Sequence, residues 1–166
     1  MRPFWKYLAL FIFGGVLGTG VGFAIGIFVY PYIFLADVTA NEQVTGIENK
    51  TVVATGTFIH ADKADPVHYG QGMVTVYNDA VHLGGDFEVG PGPAFHVYLV
   101  PKADITRSAD LAGQMFVDLG RLRAFKGSQV YGVPAGVDPR KYQSVIVWCE
   151  AFGVLISPAT LTFREG

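Results

Sequence analysis

Cysteine is nearly absent from this chain: 166 residues carry one, Cys149, and charged side chains make up only 16%. A single thiol leaves no intrachain disulfide and none of the paired spacings that hold zinc or form a dithiol redox couple. It leaves three roles for Cys149: a buried core residue, a bond to another chain, or a thiol with a task. Glycine-rich nucleotide loops, a P-loop, a GxSxG elbow and an HExxH helix are all missing, so phosphate cradling, serine hydrolysis and zincin chemistry have no foothold. Basic excess is missing too. The net charge of −2 provides no surface for nucleic acid. There is no internal repeat, no low-complexity run and no long amphipathic helix after residue 36.

What the chain has in quantity is apolar residues, 51% of the total, and they are concentrated at the front. From Tyr7 to Ala36 no side chain is charged. A bilayer core of about 30 Å needs about 20 apolar residues in a helix, and Leu8 to Tyr30 supplies them. Phe4, Trp5 and Tyr7 precede the run, and Tyr30, Tyr32 and Phe34 end it, as an aromatic belt would; Pro31 is placed to end the helix. Arg2 and Lys6 lie on one side, Asp37 and Glu42 on the other. The positive-inside bias then predicts a cytoplasmic N-terminus and an extracytoplasmic remainder, at the cell surface or in the periplasm. Val38-Thr39-Ala40 resembles a signal-peptidase site, but the run exceeds the about 7–15 residues of a cleaved h-region, so the expectation is an uncleaved signal-anchor. Gly14, Gly18, Gly22 and Gly26 repeat at spacing four on one helix face, a pattern that lets a second helix approach and predicts a homodimer through the membrane.

Three regions follow from this: residues 1–36 as cytoplasmic tip and membrane helix, 37–50 as a polar linker, and 51–166 as the extracytoplasmic domain. Beyond Arg2 and Lys6, ten basic and fourteen acidic side chains remain, which suits a solvated domain. Short β-type runs separated by turn residues fill it: TVVATGTF, GMVTVY, AVHLGGDFEV, FHVYLVP, MFVDLGRL and SQVYGV, with a helical turn expected in KADITRSADLAGQ. Eight or nine short strands predict an all-β domain, a β-sandwich or jelly roll. The most continuously apolar segment is YQSVIVWCEAFGVLISPATL, residues 142–161, read as a central strand buried on both faces, bent or split in two. Val145, Val147, Cys149 and Ala151 are expected on one face, and Ile146, Trp148, Phe152 and Val154 on the other; Pro158 is expected to break the ladder before a last strand.

Cys149 is the foremost chemical candidate, yet Val147 and Ala151, its expected neighbours, would do nothing to lower its pKa. His60, His68, His82 and His96 are the possible partners for a metal or haem iron, though without ligand spacing. Arg121, Arg123, Lys126, Arg140 and Lys141 would form a basic patch if their segments met, and otherwise a charged strand edge. Asn49-Lys50-Thr51 fits a glycosylation acceptor.

The order of certain residues resembles a known family, the electron transfer DM-thirteen domain, which occurs beside DOMON domains. The resemblance rests on Leu119-Gly120 and Leu122; on Gly127, Gln129, Tyr131 and Pro134; and on the block Asp138, Tyr142, Val145, Trp148-Cys149, Phe152, Val154, Ala159 and Leu161. Gly56-Thr57-Phe58, His68 to Gly72, and Gly92-Pro93 before Val97-Tyr98-Leu99 agree upstream, while Ala94 stands where the family usually has an acidic residue. The resemblance implies an all-β domain whose cysteine acts in redox chemistry, as a free thiol or through a prosthetic group such as haem. By that implication Cys149 is the catalytic candidate, in thiol redox or electron transfer. The alternatives are a non-enzymatic binding module with Cys149 in its core, and a haem or metal carrier using Cys149 with one of the four histidines.

Overall fold

The computed structural model describes residues 2–30, 33–34 and 37–164. A helix, α1 (Arg2–Tyr30), is followed by a β domain. Its stretch Pro3–Ile27 is long and apolar enough to cross a membrane, and none of it is buried against the rest of the chain. At 1.5 Å per residue those 25 residues span about 37 Å, more than a bilayer core requires. Pro31 and Tyr32 lie outside the described residues.

Among the described residues eleven strands follow: β1 (Thr39–Asn41), β2 (Val52–Thr57), β3 (Gly70–Gln71), β4 (Met73–Tyr77), β5 (Ala80–Leu83), β6 (Glu88–Val89), β7 (Phe95–Val100), β8 (Val117–Arg121), β9 (Lys126–Gly132), β10 (Ser144–Cys149) and β11 (Val154–Phe163). Ten pair in the order β3-β6-β9-β5-β4-β2-β11-β10-β7-β8, all antiparallel, and β1 adds to β9 in parallel. The count exceeds the eight or nine expected because two-residue strands such as β3 and β6 are too short to show a period. The helical turn expected within residues 102–114 is present at Ser108–Leu111.

The sheet folds over at β11, so its two halves face each other as a sandwich. One core takes Val53, Val74, Val76 and Leu83 from one half and Val97, Leu99, Val145 and Val147 from the other. Each fully buried aliphatic side chain contributes about 1.5–3 kcal/mol of transfer free energy. Across β10, Ile146 packs with Tyr98, Ile105 and Leu155 in a second cluster, with Trp148 against it, so this strand is buried on both faces as expected.

Two details of that region depart from the sequence expectation. The strand ends at Cys149; Glu150–Gly153 is a turn, so Ala151 and Phe152 belong to neither strand face. Gly153 closes the turn at φ 63°, donating its N–H to the Cys149 carbonyl at 2.9 Å, a conformation that glycine adopts without a Cβ penalty. Pro158 does not break the ladder either. It sits inside β11 opposite Ile146, and its carbonyl accepts from Ile59 N. In an antiparallel strand the nitrogen and carbonyl of one residue point to the same side, so the missing donor faces the end of β2 and the β10 ladder loses nothing.

The stretch expected as a linker is tied to the domain. β1 lies in it, Val44 is buried with Tyr77 and Ala80, and Glu42 makes a two-pronged ion pair with Arg123 at 2.6 Å per contact. Gly127, at φ 86°, opens the space for β1: a Cβ there would lie 2.1 Å from the Ala40 carbonyl oxygen.

Candidate functional site

β10 delivers Cys149 to one end of the sandwich, opposite Phe95 at the start of β7. The loop before β7, Pro91-Gly92-Pro93-Ala94, passes over the thiol, and Cys149 Sγ donates to the Pro93 carbonyl at 3.3 Å. Glu150 N donates to the Ala94 carbonyl at 3.0 Å and fixes the two loops together. Ala94 adopts φ 50°, a left-handed conformation in which aspartate and asparagine are enriched and alanine is uncommon.

The thiol is 2% exposed and forms part of the wall of a small pocket of about 60 Å³. Val67, His68, Pro93, Phe95 and Phe152 line it as well. Burial pushes the Cys149 pKa up, while the backbone N–H groups of Phe152 and Ala151 oppose that by stabilising the thiolate, and Glu150 adds to the rise. The balance is a neutral resting thiol.

His68 is the histidine that the fold brings to the cysteine, and no spacing rule pointed to it. Its loop is shaped by Asp65, whose carboxylate accepts from the backbone of Val67 and His68 and from His68 Nδ1 at 2.5 Å. The His68 hydrogen bond leads the causes that hold the Asp65 carboxyl down at about 2. The other histidines are engaged elsewhere. His60 bonds the Asp65 carbonyl, His82 meets Ser128 Oγ at 2.8 Å, and His96 stacks on Tyr98 and pairs with Asp118 at 3.0 Å. Tyr98 in turn donates its hydroxyl to Glu150.

Among the described residues no group of three or more His, Cys, Asp or Glu side chains is arranged to hold a metal ion. Haem does not fit beside Cys149 either: a pocket of about 60 Å³ is several-fold below the roughly 300 Å³ at which ligand sites begin. The five basic residues do not assemble into one patch. Arg123 is held by Glu42 and lies 4.3 Å from the Tyr131 ring centre, Lys126 pairs with Glu88 at 3.3 Å, and Arg140 and Lys141 occupy a turn capped by Asp138.

One polar cluster went unrecognised as such in the sequence. Gln129 is fully buried, and its Oε1 accepts from Arg123 N, Ala124 N and the Tyr131 hydroxyl while Nε2 donates to the Ala124 carbonyl. It pins the β8–β9 loop that adjoins the Cys149 end. The signal was its place in the resembling pattern, Gly127, Gln129, Tyr131, which carried no physical role until the loop was seen around it.

The arrangement is thus an all-β sandwich with a single masked thiol at one end, beside a carboxylate-held histidine. The family model described as Electron transfer DM13 matches residues 62–161. The chain belongs to that family, and membership indicates an electron-transfer or redox role. The match begins after β2, so the strands β1 and β2 complete the sandwich from outside it. No curated protein and no solved structure matches the chain.

Proposed function

We propose that the chain is a membrane-anchored extracytoplasmic domain that carries out thiol redox or electron transfer through Cys149. One observation carries this reading: the cysteine of the matched region lies in a pocket wall with His68, whose ring Asp65 orients. With Nδ1–H given to Asp65, the neutral ring has Nε2 as an acceptor, the group a neutral thiol needs to lose its proton. A lone thiol exchanges electrons with a partner. The Cys149 thiolate attacks a partner disulfide, the partner's S–S bond breaks as the Cys149–S–S bond forms, and the leaving sulfur takes the proton that Cys149 gave up. A second partner thiol then resolves the mixed bond and returns Cys149 to the reduced state.

α1 serves as the anchor in this reading, with Arg2 and Lys6 holding its start in the cytoplasm and the sandwich outside. The glycines at 14, 18, 22 and 26 recur at spacing four along α1, the pattern that supports a second copy as their partner.

The 2% exposure of Cys149 and its bond to Pro93 favour a second reading, a binding module with a structural cysteine. An aromatic disulfide reagent separates the two. The redox reading expects one equivalent of thiol reaction on the folded, detergent-solubilised chain and none in Cys149→Ser. Reaction confined to denatured protein would leave the structural reading standing.

A further inference from the structure

We infer that the Cys149 end of the sandwich rests on the bilayer surface, so that the mouth of the thiol pocket faces lipid. The inference deepens the proposed function and rests on its reading of α1 as the anchor.

The chain enters the domain at this end. β1 begins at Thr39, opposite Lys126 at the start of β9, and Val38 already shares a hollow of about 140 Å³ with Gly92, Phe95 and Arg121. Only the eight residues 31–38 separate α1 from β1. At 3.3–3.6 Å per residue they reach at most about 30 Å even when fully extended. Whatever path they take, the end of the domain at which they arrive stays near the membrane. A second observation agrees. The last turns of α1, at Phe23, Gly26, Ile27 and Tyr30, face Gly92, Pro93 and Arg121 across an apolar hollow of about 450 Å³.

The surface at this end has the chemistry of an interfacial contact. Val67 and Phe152, on the pocket wall, are 46% and 51% exposed, and Val38 is exposed as well. Exposed Arg121 stands on the same side, where a guanidinium can reach lipid phosphate. The opposite end differs: the loop leading into β10 is Pro134 to Tyr142, with Asp138, Arg140 and Lys141. Apolar side chains beside a cation lower their free energy by burial at the headgroup boundary. The tether selects lipid over a soluble partner as the occupant, because the bilayer is always within its reach. A partner that reaches Cys149 then arrives along the membrane plane.

The test uses the full chain in nanodiscs of phosphatidylcholine with a minority of phosphatidylglycerol. An environment-sensitive fluorophore is placed at Val67→Cys, Phe152→Cys or, as the far-end control, Ala135→Cys, in Cys149→Ser and Cys149→Ala backgrounds so that one folding failure is not decisive. Headgroup-region spin-labelled lipid should quench the probes at 67 and 152 several-fold more than the probe at 135. Equal quenching at all three sites overturns the inference while leaving the anchor intact. Probes at 67 and 152 shielded from aqueous iodide yet untouched by spin-labelled lipid would assign the surface to a protein or a second copy, and overturn it as well. Release of the chain from native membranes by alkaline carbonate would instead remove the anchor, and this inference with it.

Discussion

Cys149 Sγ donates to the carbonyl of Pro93, 56 residues earlier in the chain, across 3.3 Å. The bond gives the buried thiol an acceptor that suits its neutral form, and it ties the thiol to the loop that passes over it.

Burial raises the Cys149 pKa, and this sets the pH dependence of its reaction. Alkylation of the folded chain should be at least about tenfold slower than that of a free cysteine at neutral pH, because both the thiolate fraction and access are reduced. The rate should still be rising above pH 9. In stability terms, a raised pKa means the folded state holds its proton longer than the unfolded chain does. The contribution is complete below the ordinary thiol pKa and is lost as pH rises through the folded value. Stopped-flow alkylation across pH checks this; a rate equal to that of a free thiol, with an ordinary midpoint, would contradict it.

Gln129→Leu should destabilise the domain by about 3 kcal/mol, because two backbone N–H groups and the Tyr131 hydroxyl would lose a buried acceptor together. Urea denaturation of the full chain in detergent measures it. A loss below about 1 kcal/mol would mean that water replaces the amide.

Glu42→Gln weakens the bidentate pair with Arg123 that holds β1 to β9. The cost is about 1 kcal/mol, since the pair is partly exposed. Arg123 holds the Glu42 carboxyl below its ordinary range, so this contribution is present above the unfolded carboxylate pKa and falls away in acid. Hydrogen exchange should speed up at Thr39–Asn41 and Val44 while β10 keeps its protection.

The Asp65 carboxyl, held at about 2, makes the loop around His68 acid-sensitive. Its contribution is complete above the ordinary aspartate value of 3.8 and disappears as pH falls from there to about 2. Asp65→Asn should cost about 0.5–1.5 kcal/mol, toward the low end at this exposure. It should also release the His68 ring, which an NMR titration of the imidazole would register as a change in tautomer. An unchanged tautomer would count against Asp65 as its orienting partner.

Ala94→Gly relieves a left-handed backbone that costs alanine about 1 kcal/mol, partly offset by the entropy of glycine in the unfolded chain. A gain of about 0.5 kcal/mol in thermal or urea unfolding is expected, without change to Cys149 reactivity at matched stability.

Much of the architecture was legible from pattern. An uncharged run of this length marks an apolar helix long enough to cross a membrane, and the alternation in β7 and β10 marks buried strands, because both signals are local. The candidate site was less so. Cys149 stood out by being alone, but its neighbour His68 lies 81 positions away in the chain and on a loop, where no period links them. Ala151 was assigned a strand face because alternation carries no mark of where a strand stops; Gly153 marked the turn only once its positive φ was seen.

By itself the amino-acid order determined an apolar N-terminal helix, an all-β domain and the family, since each follows from composition or from the spacing of residues near one another. Tertiary structure alone decided that the thiol is masked by Pro93, that one histidine of four shares its pocket, that Glu42 anchors β1, and which end of the sandwich the tether reaches. Those are contacts between residues far apart in sequence. Their energies come from burial and hydrogen bonding, which exist only after the two halves of the sheet have closed on each other.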